Sequence, residues 1–245
     1  MRRARPEKEI SILLPAYNEA LRIENCVNEL ERTVSAISTS YEIIVAEDGS
    51  TDGTDHILAK LSASNPTLSF LHSPARLGKG KAIKNALCSA KGRVIVFMDV
   101  DLATSLEFLP RLVQSVKEHE GLAIGSRHVE GSRVRRPLSR TLFSLTYNLC
   151  VRALFLDGIR DHQCGFKAMS REVAEFLRDN TQSDGLFLDT EMILRCKKSG
   201  FQVVEVGVEW SETRKRNESR IKLFHDAAKM GLDLLKFRFN TFAQT

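Results

Sequence analysis

Several protein classes are excluded by what this 245-residue chain does not contain. Its five cysteines (Cys26, Cys88, Cys150, Cys164 and Cys196) are scattered, form no CxxC pair and have no zinc spacing, so neither a disulfide framework nor structural zinc is expected. In the apolar second half the longest uncharged stretch, Thr141–Val151, is 11 residues, too short for the ~18–20 that cross a bilayer. Met1–Lys8 is polar and leads directly into a strand-like segment, so no signal peptide is expected. Gly78-Lys79-Gly80-Lys81 lacks the spacing of an ATPase phosphate loop, and no GxGxxG dinucleotide fingerprint occurs. Internal repeats and low-complexity linkers are missing too. Disorder is excluded by composition, with 42% hydrophobic and 27% charged residues.

The formal charge of +5 is too small to imply a nucleic-acid partner, and none is expected. The charge is nevertheless uneven. Met1–Ile10, Arg127–Arg140 and Glu212–Lys222 are each basic, and the remainder of the chain is net acidic. Arginine concentrated in the middle segment points to an anionic ligand or surface.

Short β-rich runs alternate with helical ones. Strands are expected at Ile10–Pro15, Tyr41–Ala46, Leu68–His72, Arg93–Met98, Leu122–Gly125 and Gln202–Val208. Helices are expected at Arg22–Ile37, Thr54–Ser62, Lys79–Ala90, Leu106–His119, Arg171–Arg178 and Asp189–Ser199. This alternation is the pattern of an α/β fold, a mainly parallel sheet with helices on both faces. Ligands of such sheets bind beyond the carboxyl ends of the strands. Five successive strand ends deliver polar residues there: Tyr17 to Glu19, Glu47 to Gly53, Arg76 to Gly80, Asp99 and Asp101, and Ser126 with Arg127.

Asp99-Val100-Asp101 offers two carboxylates as the chain leaves a strand, an arrangement suited to Mg²⁺ or Mn²⁺ completed by substrate phosphates. A solvated acidic turn explains such a triplet equally well when it stands alone. Ser50, Thr51 or Asp52 can cap the helix that follows, which leaves Glu47 and Asp48 free to hold a nucleobase imide or a ribose hydroxyl. Asp161-His162 invites a dyad, but adjacent side chains diverge, and a polar loop is the expectation for His162. Asp189 and Glu191 suit a helix N-terminus.

From Leu138 onward, Leu142, Leu145, Leu149, Ala153 and Leu156 recur at helical spacing, while Arg135, Arg136 and Arg140 crowd the helix start, where the dipole disfavours cations. Anionic headgroups or a substrate phosphate would compensate them. Residues 137–158 are therefore expected to form an interfacial amphipathic helix, with an ordinary core-packed helix as the alternative. In the C-terminal helix, Ile221, Phe224, Ala228, Leu232, Leu235 and Phe239 form one face. Lys222, Asp226, Lys229, Asp233 and Lys236 form the other, and packing of the apolar face on the main body is expected, with lipid contact by Phe237, Phe239 and Phe242 beside Lys236 and Arg238 as the alternative.

Taken together these residues resemble a family 2 glycosyltransferase of the GT-A fold, in particular the polyprenyl (dolichyl) phosphate hexose synthases and their glucosyltransferase branch. The motifs that carry the resemblance are Pro15-Ala16-Tyr17-Asn18-Glu19, Glu47 to Thr54, Gly78-Lys79-Gly80, Asp99-Val100-Asp101, Gly125-Ser126-Arg127, Arg160 to Lys167 and Trp210-Ser211-Glu212. Their order and spacing span about Glu9 to Phe239. The resemblance implies one GT-A domain over 1–245, with residues 137–158 as an interfacial insertion and 219–245 as a C-terminal helix and tail.

It further implies that Pro15, Tyr17, Glu19, Ala46, Asp48, Lys79 and Val100 line a nucleotide-sugar pocket. Asp99 and Asp101 would hold Mg²⁺ or Mn²⁺, Asp101 and Arg127 would serve the reaction, and Asp189 would stand where hydroxyl-activating relatives place a base. Arg135, Arg136, Arg214 and Arg220 would grip the phosphate of a lipid acceptor. Asn217 and Arg220 depart from the glycine and lysine of the mannose-type R-x-x-G-E-S-K motif. Ala103 replaces a glutamine near the metal and leaves any third protein ligand open. The implied reaction is inverting hexose transfer, UDP-glucose favoured, to polyprenyl or dolichyl phosphate by a peripheral enzyme on the cytoplasmic face of a membrane. GDP-mannose as donor, a soluble or polysaccharide acceptor, a sugar-nucleotide pyrophosphorylase and a non-catalytic binding module are the alternatives. Oligomeric state is not indicated.

Overall fold

The computed structural model describes residues 7–214 and 223–242. Its centre is a seven-stranded sheet in the order β3-β2-β1-β4-β7-β5-β8. The parallel strands are β1 (Lys8–Ala16), β2 (Tyr41–Asp48), β3 (Leu68–Ser73), β4 (Gly92–Phe97), β5 (Leu122–Ser126) and β8 (Val203–Gly207). Strand β7 (Lys167–Ser170) runs antiparallel between β4 and β5. Two short strands, β6 (Arg133–Arg135) and β9 (Glu209–Ser211), pair in parallel beside the strand ends.

Period-two alternation divides the core between the two faces of the sheet. Ile10, Ile12 and Leu14 of β1 pack with α1 (Ile23–Ser35), α2 (Thr54–Ser64) and α4 (Leu109–His119). Leu13, Ile44, Ile95 and Phe97 face α3 (Lys79–Ser89), α6 (Arg171–Asn180) and α7 (Leu188–Lys198). Helix α1 buries Ile23, Cys26, Val27, Leu30 and Val34, one stripe at the helical period. The mainly parallel, two-faced architecture is the expected one. β6, β7 and β9 were not anticipated: each is four residues or fewer, and β7 opens on Lys167, a charged residue that is nonetheless fully buried.

Two helices flank the sheet's carboxyl edge. Helix α5 (Leu138–Phe155) leaves Leu138, Leu142 and Leu149 exposed at 86%, 68% and 64%, while Val151 and Tyr147 turn inward. The core-packed alternative for its leucine stripe is thereby excluded. Helix α8 (Leu223–Phe242) corrects the expected packing face. Leu232, Leu235 and Phe239 (72%) are exposed, whereas Leu234 and Phe237 pack against Val151, Phe187 and Leu194. The nearest inward cluster is aromatic, with Phe237 against Phe155 and Phe187 at 5.9 Å each, and it rotates the helix away from the simple sequence stripe. Among the described residues no helix is long and apolar enough to cross a membrane.

His162 lies in the expected polar loop between α5 and β7, and there it is completely buried. Its Nε2 faces Asp157 Oδ2 at 2.7 Å, and its Nδ1 and backbone N–H both meet Asn148 Oδ1 at 3.0 Å. Helix α5 is thus pinned to the segment that carries Asp161 and Gln163. Removing one partner of a buried pair strands the other. We expect His162→Ala to lower unfolding free energy by about 3 kcal/mol, measured by denaturant melting; an unchanged midpoint would show that the pair does not hold α5.

Candidate active site

A cavity of about 370 Å³ opens at the carboxyl edge of the sheet. It is walled by Pro15, Tyr17, Glu19, Asp48 and Arg76 at one end, by Lys79, Asp99, Val100, Asp101, Arg127 and Asp189 in the middle, and by Arg136, Phe143, Ser144, Tyr147 and Met230 toward α5 and α8. Twelve of the fourteen residues expected at a site and lying within the described residues therefore converge on one space. Ala46 lies buried in β2 behind the wall, and Arg135 is exposed outside it. Arg220 lies outside the described residues.

At the first end, the acids thought free for a nucleotide are committed to the protein. Glu47 accepts from Ser50 N at 2.5 Å and meets His72 Nδ1 at 2.6 Å. Asp48 accepts from the backbone amides of Leu77 and Gly78 at 2.7 and 2.9 Å, holding the loop that carries Arg76. Arg76 lies 4.1 Å over the ring of Tyr17. Gly49, at φ +72, lets this loop approach, since a Cβ there would stand 2.5 Å from Ala75 C.

In the middle, acids and bases interlock. Lys79 Nζ stands 2.9 Å from Asp99 and 3.4 Å from Asp189. Asp189 also accepts from the buried Lys167 Nζ at 2.5 Å, and that ammonium donates to Cys164 O at 2.6 Å. Burial alone would raise the Asp189 pKa, but Lys167 and Lys79 bring it below the usual carboxylate range. Arg214 links Asp101 and Glu19 at 2.6 Å each. Burial raises the Glu19 pKa in spite of Arg214. Gly165 lies against Asp99, where a Cβ would come within 2.2 Å of Oδ2, so the carboxylate rests in a cradle that only glycine leaves open.

Arg127 reaches the cavity, but its charge is matched by Asp161 through bonds of 2.7 and 2.8 Å, and its guanidinium lies 5.8 Å from the Trp210 ring. Arg127 thus meets the cavity as a compensated cation. Arg140, also expected to seek an anion, finds Glu212 at 2.5 Å. Arg136 differs. It stacks 5.8 Å from Trp210 and donates Nε to Thr141 Oγ1 at 3.1 Å, but its buried Nη2 has no hydrogen-bond partner among the described residues. Burial, with Arg127 nearby, pushes its pKa down to about 10.

Sequence reasoning did not single out Lys167, Arg76, Asp161, Gln163 or Tyr147 as site residues. Lys167 and Asp161 stood inside the motif Arg160–Lys167; a lysine ending a Cys-Gly-Phe run was the available signal. Tyr147 and Gln163 meet only through Thr190, at 2.9 and 2.8 Å, a tertiary contact with no local signature.

The sheet order, the switch to one antiparallel strand and the acid-lined cavity at the carboxyl edge are those of the GT-A fold. The crystal structure of glucosyl-3-phosphoglycerate synthase from Mycobacterium tuberculosis with Mn²⁺, uridine diphosphate and glucosyl-3-phosphoglycerate superposes with a TM-score of 0.69 at 22% identity, covering 94% of this chain and 80% of that one. The family model for glycosyl transferase family 2 matches residues 11–178, and the chain belongs to that family; it is a glycosyltransferase. It is 40% identical to glycosyltransferase AglD of Haloferax volcanii over 231 residues, 93% of this chain and 36% of that protein. It is 32% identical to dolichyl-phosphate beta-glucosyltransferase ALG5C of Trichomonas vaginalis (92% of this chain, 69% of that one) and 30% identical to the Mus musculus dolichyl-phosphate beta-glucosyltransferase (95% and 76%). The chain thus spans about a third of AglD and about seven-tenths or more of the other two.

The Asp161–Arg127 pair makes the cavity wall pH-sensitive. Burial opposes ionisation of Asp161, but Arg127 outweighs it and holds the carboxyl well below its unfolded value. The pair's contribution is therefore complete above the unfolded pKa of about 3.9 and is lost as pH falls through the lower folded value. We expect Asp161→Asn to be less stable than the parent by a constant margin from neutral pH down to about pH 5. That margin should narrow in more acid solution, as followed by urea melts; a margin that widens on acidification would contradict the pairing.

Proposed function

We propose that this glycosyltransferase moves a hexose from a nucleotide-sugar, UDP-glucose favoured, to the phosphate of a polyprenyl or dolichyl lipid, acting as a peripheral enzyme on the cytoplasmic face of a membrane. The observation that carries this reading is the single cavity reaching from Tyr17 and Asp48 past Asp99 and Asp101 to the inner sides of α5 and α8, whose outer sides expose leucines and Phe239. A phosphate seated inside with its apolar tail leaving across those helices fits that layout. The names of the dolichyl-phosphate glucosyltransferase relatives support the same acceptor.

Asp99 and Asp101 are hard oxygen donors on the cavity wall, and Gly165 leaves the space that the Asp99 carboxylate occupies, so the donor set present fits Mg²⁺ or Mn²⁺. Diphosphate oxygens and water would complete the coordination. When bound, the cation stabilises the charge that develops on the departing diphosphate. Lys79 and Arg127 add positive charge on the same wall. The acceptor's phosphate oxygen forms a new bond to the anomeric carbon on the face opposite the leaving nucleoside diphosphate, whose bond to that carbon breaks. A phosphate monoester carries about −1.5 to −2 charge near neutral pH and needs no base. This suits the state of Asp189, whose carboxylate is tied between two lysines and is a poor proton acceptor. A hydroxyl acceptor would need the base that Asp189 is not free to be. Arg136, which lines the cavity and has a buried Nη2 with no hydrogen-bond partner among the described residues, is the residue we assign to the acceptor phosphate, and exposed Arg135 the one we assign to anionic headgroups.

With radiolabelled UDP-glucose and polyprenyl phosphate in detergent, label should enter the organic-extractable lipid; label only in water-soluble product would refute the lipid acceptor, and a donor panel including GDP-mannose decides the sugar. Arg136→Ala should raise the acceptor KM about tenfold, in keeping with loss of a charge-assisted hydrogen bond, with little effect on the donor KM. On vesicles containing anionic lipid, Leu142→Glu/Leu149→Glu should reduce co-sedimentation sharply and leave the melting temperature unchanged. Equal sedimentation of variant and parent would remove the membrane from the proposal.

A further inference from the structure

We propose that Arg214 makes divalent-metal binding conditional on the nucleotide diphosphate, by holding the Asp101 carboxylate until a phosphate is available to take the guanidinium in its place. The inference rests on the reading of Asp99 and Asp101 as the metal carboxylates, and adds to it an order of events.

Asp101 has no idle oxygen: Oδ2 accepts from Arg214 Nε at 2.6 Å and Oδ1 from Ala103 N at 3.2 Å. The same guanidinium reaches Glu19 Oε1 at 2.6 Å and is largely buried, its side chain 14% exposed. On the other carboxylate, Lys79 stands 2.9 Å from Asp99. Each acid that would receive a cation is thus already neutralised by a basic side chain. A free divalent ion must displace two cations from their partners or sit beside them, and both alternatives oppose binding.

A nucleoside diphosphate reverses that balance. Guanidinium groups pair with phosphate oxygens in the same forked geometry as with carboxylates. A diphosphate arriving at the wall between Lys79 and Asp101 offers Arg214 an equivalent partner and frees Asp101 Oδ2. It also brings oxygens to complete a coordination sphere that Asp99 and Asp101 would fill only in part. Glu19 supplies the complementary feature: its Oε2 is buried, with no hydrogen-bond partner among the described residues and Arg22 Nη1 3.8 Å away, and Arg214 is held on this acid through Oε1. By linkage, metal must then tighten nucleotide binding by the same factor that nucleotide tightens metal.

The test measures free Mn²⁺ by electron paramagnetic resonance, with and without UDP, in the full-length parent, Arg214→Gln, Arg214→Met and Asp101→Asn. Parent protein should bind Mn²⁺ weakly alone and more than about tenfold more tightly with UDP, within the usual range of coupling. Both Arg214 variants should bind Mn²⁺ alone about tenfold more tightly than the parent, the scale of one charged hydrogen bond, and the enhancement by UDP should shrink correspondingly. Two polar and apolar replacements guard against a folding artefact, with circular-dichroism melts run in parallel. Unchanged or weaker Mn²⁺ binding in both folded Arg214 variants, with Asp101→Asn abolishing Mn²⁺–UDP binding, would overturn the gating role while leaving the metal carboxylates in place. Mn²⁺–UDP binding by Asp101→Asn equal to the parent's would overturn the metal assignment and the gating with it.

Discussion

Mutual neutralisation of acids and bases gathered at one sheet edge is the constraint on which the cavity depends. Parallel strands release their chains in one direction, and this sequence ends them in Asp48, Asp99 and Asp101. Carboxylates so close together repel one another and are costly to desolvate. The fold answers with basic residues from distant segments: Lys79 from the start of α3, Lys167 from β7, and Arg214 beyond β9. Arg127 is answered in turn by Asp161 and Arg140 by Glu212. The site is preorganised because each charge is located by another.

That pattern makes the exceptions informative. Among the described residues, Arg136 lines the cavity yet meets an aromatic ring and a hydroxyl rather than a carboxylate, and Arg76 lies over Tyr17. Both line the cavity. Cations of this kind beside a centre of compensated charge suit the two anionic ligands of the proposed transfer.

The architecture was legible in the sequence because strand and helix periods are local properties. Ile10 to Pro15 and Val94 to Met98 announce buried strands without reference to anything else, and the acids that follow them had to arrive at one edge. Arg127 and Asp99 were legible as cavity residues for the same reason. Their partners were not. Asp161 is 34 residues from Arg127 and Arg214 is 113 from Asp101, and nothing in the intervening pattern encodes the pairing. Short β7 escaped notice because four residues carry too little periodicity, and because a buried lysine reads as a surface one until Asp189 is placed beside it. On α8 the hydrophobic stripe was read correctly as a stripe and assigned to the wrong side. Amphipathicity identifies an apolar face, but whether protein or another medium covers it depends on what stands opposite. Here Phe155 and Phe187 claimed Phe237 and left Leu232, Leu235 and Phe239 outside.

The exposed faces of α5 and α8 and the state of Asp189 bear on one question from different directions. A few leucines and a phenylalanine, each contributing about 1.5–3 kcal/mol when fully buried, suffice for reversible attachment at an interface. Independently, a carboxylate locked between Lys79 and Lys167 cannot readily take a proton from a sugar hydroxyl, since accepting it would leave two ammonium groups facing an uncharged acid. An acceptor that is ionised before it arrives avoids that demand, and one with a long apolar tail explains why the cavity opens between two helices with leucines turned outward. On the proposed reading, the missing base and the uncovered leucines have the same cause, a nucleophile that brings its own charge and stays attached to the membrane.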